Sequence, residues 1–175
     1  MATQELRDRL QPALLDRLTD LTPDNPREAD EHRVMSKQRL RQAVLRDLSW
    51  LFNSTQPRGE WAAEWPMLAS SVLNFGLPAL SGQRVSKLDI TQLERDIRRA
   101  ILDFEPRILP ETLVVKALET ASVLDTHNMI DFEIRGHLWA QPVPLEILLR
   151  TKLDLEAGQV QVRDAAGATR TGRED

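Results

Sequence analysis

Apolar positions return at two different periods along this chain, and the change of period divides it. Between residues 89 and 105, Ile90, Leu93, Ile97, Ala100, Ile101 and Phe104 recur at three- and four-residue steps, which places them on one face of a helix. Thr91 and Glu94 have the spacing of a capping box for its start, with Asp89 as the alternative N-cap. Pro106 predicts its end, because proline has no N–H to give and disfavours α geometry at Glu105. An earlier helix is predicted from Ser36, as N-cap, to about Phe52. Leu40, Val44, Leu45, Leu48, Leu51 and Phe52 make its apolar side, and Arg33, Lys37, Arg39, Arg41 and Arg46 make the opposite side basic. The plain account of that basic side is a solvated face; the sharper one is attraction to an acidic partner. Before it, Leu6, Leu10, Leu14, Leu15 and Leu18 are spaced for a short helix or an apolar-anchored arm, interrupted by Pro12. The cluster Thr22-Pro23-Asp24-Asn25-Pro26 marks a linker.

In the C-terminal third the period falls to two. Ile130, Phe132, Ile134, Gly136 and Leu138 alternate with Asp131, Glu133, Arg135, His137 and Trp139, the pattern of a half-buried strand. After a loop with Pro142 and Pro144, Leu145, Ile147, Leu149, Thr151, Leu153 and Leu155 alternate with Glu146, Leu148, Arg150, Lys152 and Asp154. The two runs predict a long hairpin. A strand near 112–118 supplies a third member, and Val160 and Val162 a short fourth. From Ala165 onward small and polar residues predict disorder. The expected fold class is therefore α+β, with N-terminal helices packed on a small, mainly antiparallel sheet of three to four strands. Residues 1–29 form an arm and linker, 30–163 the domain and 164–175 a disordered tail.

Between helix and sheet lies Glu105-Pro106-Arg107, a stiff corner holding a carboxylate near a guanidinium. As a local ion pair it is worth ~0–1 kcal/mol if exposed. As a docking element it offers a planar fork on a segment that loses little entropy when immobilised.

Composition narrows the possibilities. A net charge of −4 over 175 residues argues against a general nucleic-acid binder. The absence of cysteine excludes a disulfide scaffold, thiolate zinc sites and a cysteine nucleophile. His32, His127 and His137 stand far apart and in no ligand spacing, and no cofactor or metal is expected. Residues 1–20 show no signal-peptide pattern and no stretch approaches the ~20 apolar residues of a membrane span, so a cytoplasmic chain is expected. The one constellation that invites a reaction is Glu60 and Glu64 beside Trp61 and Trp65, since paired carboxylates near an apolar wall serve glycosidases. Two carboxylates on one side of a single helical turn are poorly placed to flank a sugar bond.

Five blocks stand in order over roughly residues 13–160: Leu14-Leu15-Asp16-Arg17-Leu18; Leu40 to Asn53; Ser71-Val72-Leu73-Asn74-Phe75-Gly76-Leu77-Pro78; Glu105-Pro106-Arg107; and Leu149 to Glu156. Together they resemble the TssE family of type VI secretion baseplate subunits, related to the sheath-initiating wedge protein of contractile phage baseplates. The resemblance implies a non-enzymatic adaptor that links the baseplate wedge to the first ring of the contractile sheath, at the cytoplasmic face of the inner membrane. It implies that Glu105, Pro106 and Arg107 dock on the wedge proteins TssF and TssG, with TssK a further partner. It also implies a strand edge that the sheath proteins TssB and TssC extend, expected along Glu146, Leu148, Arg150, Lys152 and Asp154. The rival is a peptidoglycan hydrolase using Glu60, Glu64 or Glu105.

Overall fold

The computed structural model describes residues 13–19, 35–57, 64–80, 82, 88–118, 128–140 and 142–165. The Thr22–Pro26 linker, Glu60, Trp61, His32, His127 and the tail beyond residue 165 lie outside them. The helices are α1 (Leu14–Leu18), α2 (Lys37–Phe52), α3 (Pro66–Ala69) and α4 (Ile90–Phe104). The strands are β1 (Val114–Ala117), β2 (Met129–Leu138), β3 (Leu145–Asp154) and β4 (Gln159–Asp164). They form one antiparallel sheet in the order β1-β2-β3-β4.

The caps show which local signals decide helix ends. Ser36 accepts a hydrogen bond from the Arg39 N–H at 3.2 Å and starts α2 as its sequence predicts. For α4 the N-cap is Asp89, which accepts from the Gln92 N–H at 2.9 Å; Thr91 lies inside the first turn. The fourth residue of a Thr91 box, Glu94, is committed to β1 instead, where it accepts from the Ala117 N–H at 2.7 Å.

Periodicity and burial agree. The α2 side chains Leu40, Ala43, Val44, Leu48, Leu51 and Phe52 are buried, as are Leu93, Ile97, Ala100 and Ile101 of α4. Both helices cover one face of the sheet, meeting the alternating row Ile130, Phe132, Ile134 and Leu138 and the row Ile147, Leu149, Leu153 and Leu155. The other sheet face is open and carries the charged alternates.

Two expectations change. The run Leu145–Leu155 was to keep its outer side pairable, but β3 is an inner strand. Arg150, Lys152 and Asp154 pair with Glu133, Asp131 and Met129 of β2 and with Arg163, Gln161 and Gln159 of β4. Only the stretch holding Glu146 and Leu148 runs past the end of β4, and there the Ala165 N–H still reaches the Leu148 carbonyl at 2.8 Å. The reason is that the short fourth strand has apolar Val160 and Val162 to lay over the core, and pairing with β3 places them there. Asp164, counted with the tail from the sequence, instead closes β4, and both its carboxylate oxygens accept from Arg41 Nη1, at 3.0 and 2.9 Å.

The true edges are β1 and β4, and side chains from the helices reach both. On β4, Asn53 donates to the Val160 carbonyl at 2.8 Å and accepts from the Val160 N–H at 3.0 Å. On β1, beside the Glu94 contact, the Arg98 guanidinium donates to the Leu113 carbonyl at 3.4 Å. Closed edges of this kind guard against edge-to-edge association.

Candidate docking site at the helix-to-strand corner

The corner forms because α4 cannot pass Pro106 and the chain must turn onto the sheet. Glu105 is the C-cap residue, at φ −123° and ψ 77°, outside the α region that the following proline disfavours. Ile108 then sinks into the core at 2% exposure. The segment pairs beside β2: the Trp139 N–H donates to the Arg107 carbonyl, and the Leu109 N–H to the His137 carbonyl, both at 2.8 Å. The corner is thus fastened to the helix on one side and to the sheet on the other.

Its carboxylate is buried, and the charges that pair with it are partly exposed. Glu105 is 3% exposed. Arg107 donates from Nε to Glu105 Oε1 at 2.6 Å and from Nη2 to Glu105 Oε2 at 2.5 Å, a bidentate fork. The same Nη2 donates to Asp47 Oδ2 of α2 at 2.5 Å. Asp47 in turn accepts from Arg46 Nε at 2.9 Å, and Arg46 Nη1 donates to Asp16 Oδ1 of α1 at 2.5 Å. Five charges of alternating sign therefore run from the corner across α2 to α1. Burial alone would lower the pKa of Arg107, but the hydrogen bonds and charges of Glu105, and then Asp47, outweigh it and hold the guanidinium above the ordinary arginine range. Arg46 is raised too, chiefly by its bond to Asp16 and then by that to Asp47.

Beside this ladder opens a cavity of about 410 Å³ whose apolar walls include Leu48, Trp50, Leu51, Phe75 and Phe104. Phe75 and Phe104 meet edge to face, with ring centroids 5.3 Å apart. Trp50 is 52% exposed and lies under the Arg46 guanidinium, 5.2 Å from the ring centroid. The corner's own exposed member is Pro106. On the other flank, α1 buries none of its residues, and Leu14 and Leu18 are 70% and 74% exposed. Among the described residues, Arg107 Nη1, Arg46 Nη2 and Asp16 Oδ2 are buried without a hydrogen-bond partner. These three atoms are shut off from solvent inside the ladder, whereas the hollow beside it is walled mainly by apolar side chains.

The structure thus brings Glu105 and Arg107 together and keeps Glu146, Leu148, Arg150, Lys152 and Asp154 apart from them, on the open sheet face. Asp47 and Trp50 were not singled out from the sequence, and Arg46 and Asp16 were named only within the basic side of α2 and a family block. One signal was present: Asp47 is the sole carboxylate on an otherwise basic α2. As for the hydrolase reading, Glu105 and Asp47 do approach each other, but the Arg107 guanidinium fills the space between them where a scissile bond or water would have to sit. Glu64 is exposed, and Glu60 lies outside the described residues.

The family model described as baseplate wedge protein gp25 matches residues 38–143, from the first turn of α2 through the corner to the loop before β3. The chain belongs to this family. It is the family of TssE, as the five sequence blocks imply, and it makes this wedge protein a structural component of a baseplate. No individual curated protein matches the chain significantly. Among the described residues of the wedge protein, no helix is long and apolar enough to cross a membrane.

Proposed function

We propose that this wedge protein is the type VI secretion baseplate subunit that joins the wedge to the first ring of the sheath and initiates sheath assembly. The observation that carries the reading is the family match across α2, the corner and β2, over which the structure shows a braced corner beside an apolar hollow. The wedge proteins TssF and TssG, with TssK beside them, are the partners for the corner. Because Glu105 and Arg107 are spent on each other, their part is to hold the corner rigid, while Pro106, Trp50 and the hollow make the contact. The sheath proteins TssB and TssC are the partners for the sheet. Glu146, Leu148, Arg150, Lys152 and Asp154 serve that contact through side chains on the open face, since β3 has little backbone left to offer. The site of action is the cytoplasmic face of the inner membrane.

The test combines co-purification with a fluorescent-sheath assay in cells. Trp50→Ala with Pro106→Asp should lose the wedge proteins while melting like the parent, and sheath foci should vanish. Sheath foci at parental frequency in cells lacking the wedge protein altogether would sink the initiator role.

A further inference from the structure

The open face of the sheet carries three cations that the fold itself leaves unspent. On β2, Glu133 is committed to Arg135, whose Nε donates to it at 2.6 Å. At the end of β3, Asp154 accepts from the Glu156 and Ala157 N–H groups at 2.8 and 2.9 Å and closes the turn into β4. Arg150, Lys152 and Arg163 are exposed on the same face, and none of them makes an ion pair among the described residues. Arg163 has only a 3.2 Å hydrogen bond to Gln161 on its own strand.

Register gathers the three into a triangle. Arg150 lies directly opposite Arg163 across the β3–β4 ladder, which sets their Cβ atoms ~5 Å apart. Lys152 follows two residues along β3, ~7 Å from Arg150 and on the same side. Like charges placed directly opposite each other destabilise a sheet. The core does not demand this opposition: the outward residues of β4 run Gln159, Gln161, Arg163, and a third neutral side chain would cover the face equally well.

The surroundings limit what can occupy the triangle. Along β3 it is bounded by Glu146 on one side and Asp154 on the other, and Asp131 stands opposite Lys152 on β2. A nucleic-acid backbone or an anionic membrane would have to run over these carboxylates, whereas a short acidic feature fits between them. The net charge of −4 does not oppose such a partner, because charges more than ~8 Å away are largely screened at physiological salt. Leu148, half-buried beyond Arg150 on the same side of β3, adds an apolar contact next to the charges.

We propose that Arg150, Lys152 and Arg163 form a docking site for two neighbouring carboxylates of a partner protein, set ~5–7 Å apart. One carboxylate lies between the two guanidinium forks and cancels their repulsion; the second meets Lys152. The contact is made by side chains across the sheet face and uses no backbone hydrogen bond. It rests on the reading that the sheath meets this face, and it names the chemistry by which the face is recognised.

The experiment measures binding of the purified TssB–TssC pair to the full-length wedge protein at rising salt. Arg150→Glu and Arg163→Glu should each weaken binding roughly ten-fold at low salt and flatten its salt dependence. Arg95→Glu, the same charge change on the exposed side of α4, should leave binding unchanged; an equal loss there would reduce the effect to net charge and overturn the site. Arg163→Gln should bind more weakly yet melt no earlier than the parent, since it relieves the opposed charges. An earlier melt in that variant would make Arg163 a structural residue and overturn its role. Capture of duplex DNA or phosphatidylglycerol vesicles by the parent, lost in the two reversals, would assign the triangle to a polyanion instead. Native affinity in both reversals, with the parent binding normally, would overturn the carboxylate site and leave the sheath reading standing. No binding by the parent would overturn the sheath reading beneath it.

Discussion

The deepest consequence of the corner concerns Arg107→Ala. From sequence alone the variant is expected to stay folded and fail only in assembly, because an exposed pair contributes little. The structure changes that expectation. Truncation leaves the Glu105 carboxylate, 3% exposed, without its bidentate partner, and it removes the bridge to Asp47. Removing one partner of a buried pair costs ~3–5 kcal/mol. Arg107 and Asp47 keep 24% and 26% of their side chains in solvent, which favours the lower end. For a chain of this length ~3 kcal/mol corresponds to a melting temperature roughly 6–12 °C lower. Circular dichroism melts at neutral pH measure this directly. Asp47→Ala is the internal comparison: the fork survives, and the loss should be ~1 kcal/mol, or about 2–4 °C. Glu105→Leu with Arg107→Met, which removes both charges and keeps the volume, should recover most of the stability. If Arg107→Ala melts within about 2 °C of the parent, the fork does not brace the corner and the guanidinium is free to act as a plug.

Two further changes test the scaffold. Gly76 has φ +128°, and a Cβ there would lie 2.3 Å from the Ser54 carbonyl oxygen, so Gly76→Ala should cost at least ~2 kcal/mol in a denaturant melt. Asn53→Ala removes both bonds to Val160 and should cost ~1–2 kcal/mol, with faster hydrogen exchange at Val160 as its signature.

Much of the fold was written in local pattern, and the remainder was not for a definite reason. The apolar faces of α2 and α4, the Ser36 cap, the stop at Pro106 and the hairpin follow from interactions within a few residues or from a repeat of two. The choice of Asp89 over Thr91 does not, because it depends on Glu94 being needed by a strand 23 residues away. The same holds for the site. Glu105 and Arg107 announce a pair, but Asp47 stands 60 residues from Arg107 and Asn53 stands 107 from Val160. Such pairings leave no periodic trace in the chain. The error over the β3 edge has the same root: Val160 and Val162 announce a short strand, but not that it pairs with β3, which the core it covers decides.

The clasp between α2 and β4 also fixes the order in which the molecule can be completed. The sheet is a meander whose neighbours are neighbours in sequence, so it can grow hairpin by hairpin at low entropic cost. The helix that lies against its last strand was synthesised first, and Arg41 waits for Asp164, 123 residues later. Until β4 leaves the ribosome, the buried face of α2 has no final strand to settle on. The same delay applies to the corner, since Asp47 rides on that helix. Closure of the domain and rigidity at the corner therefore arrive together, once β4 has emerged.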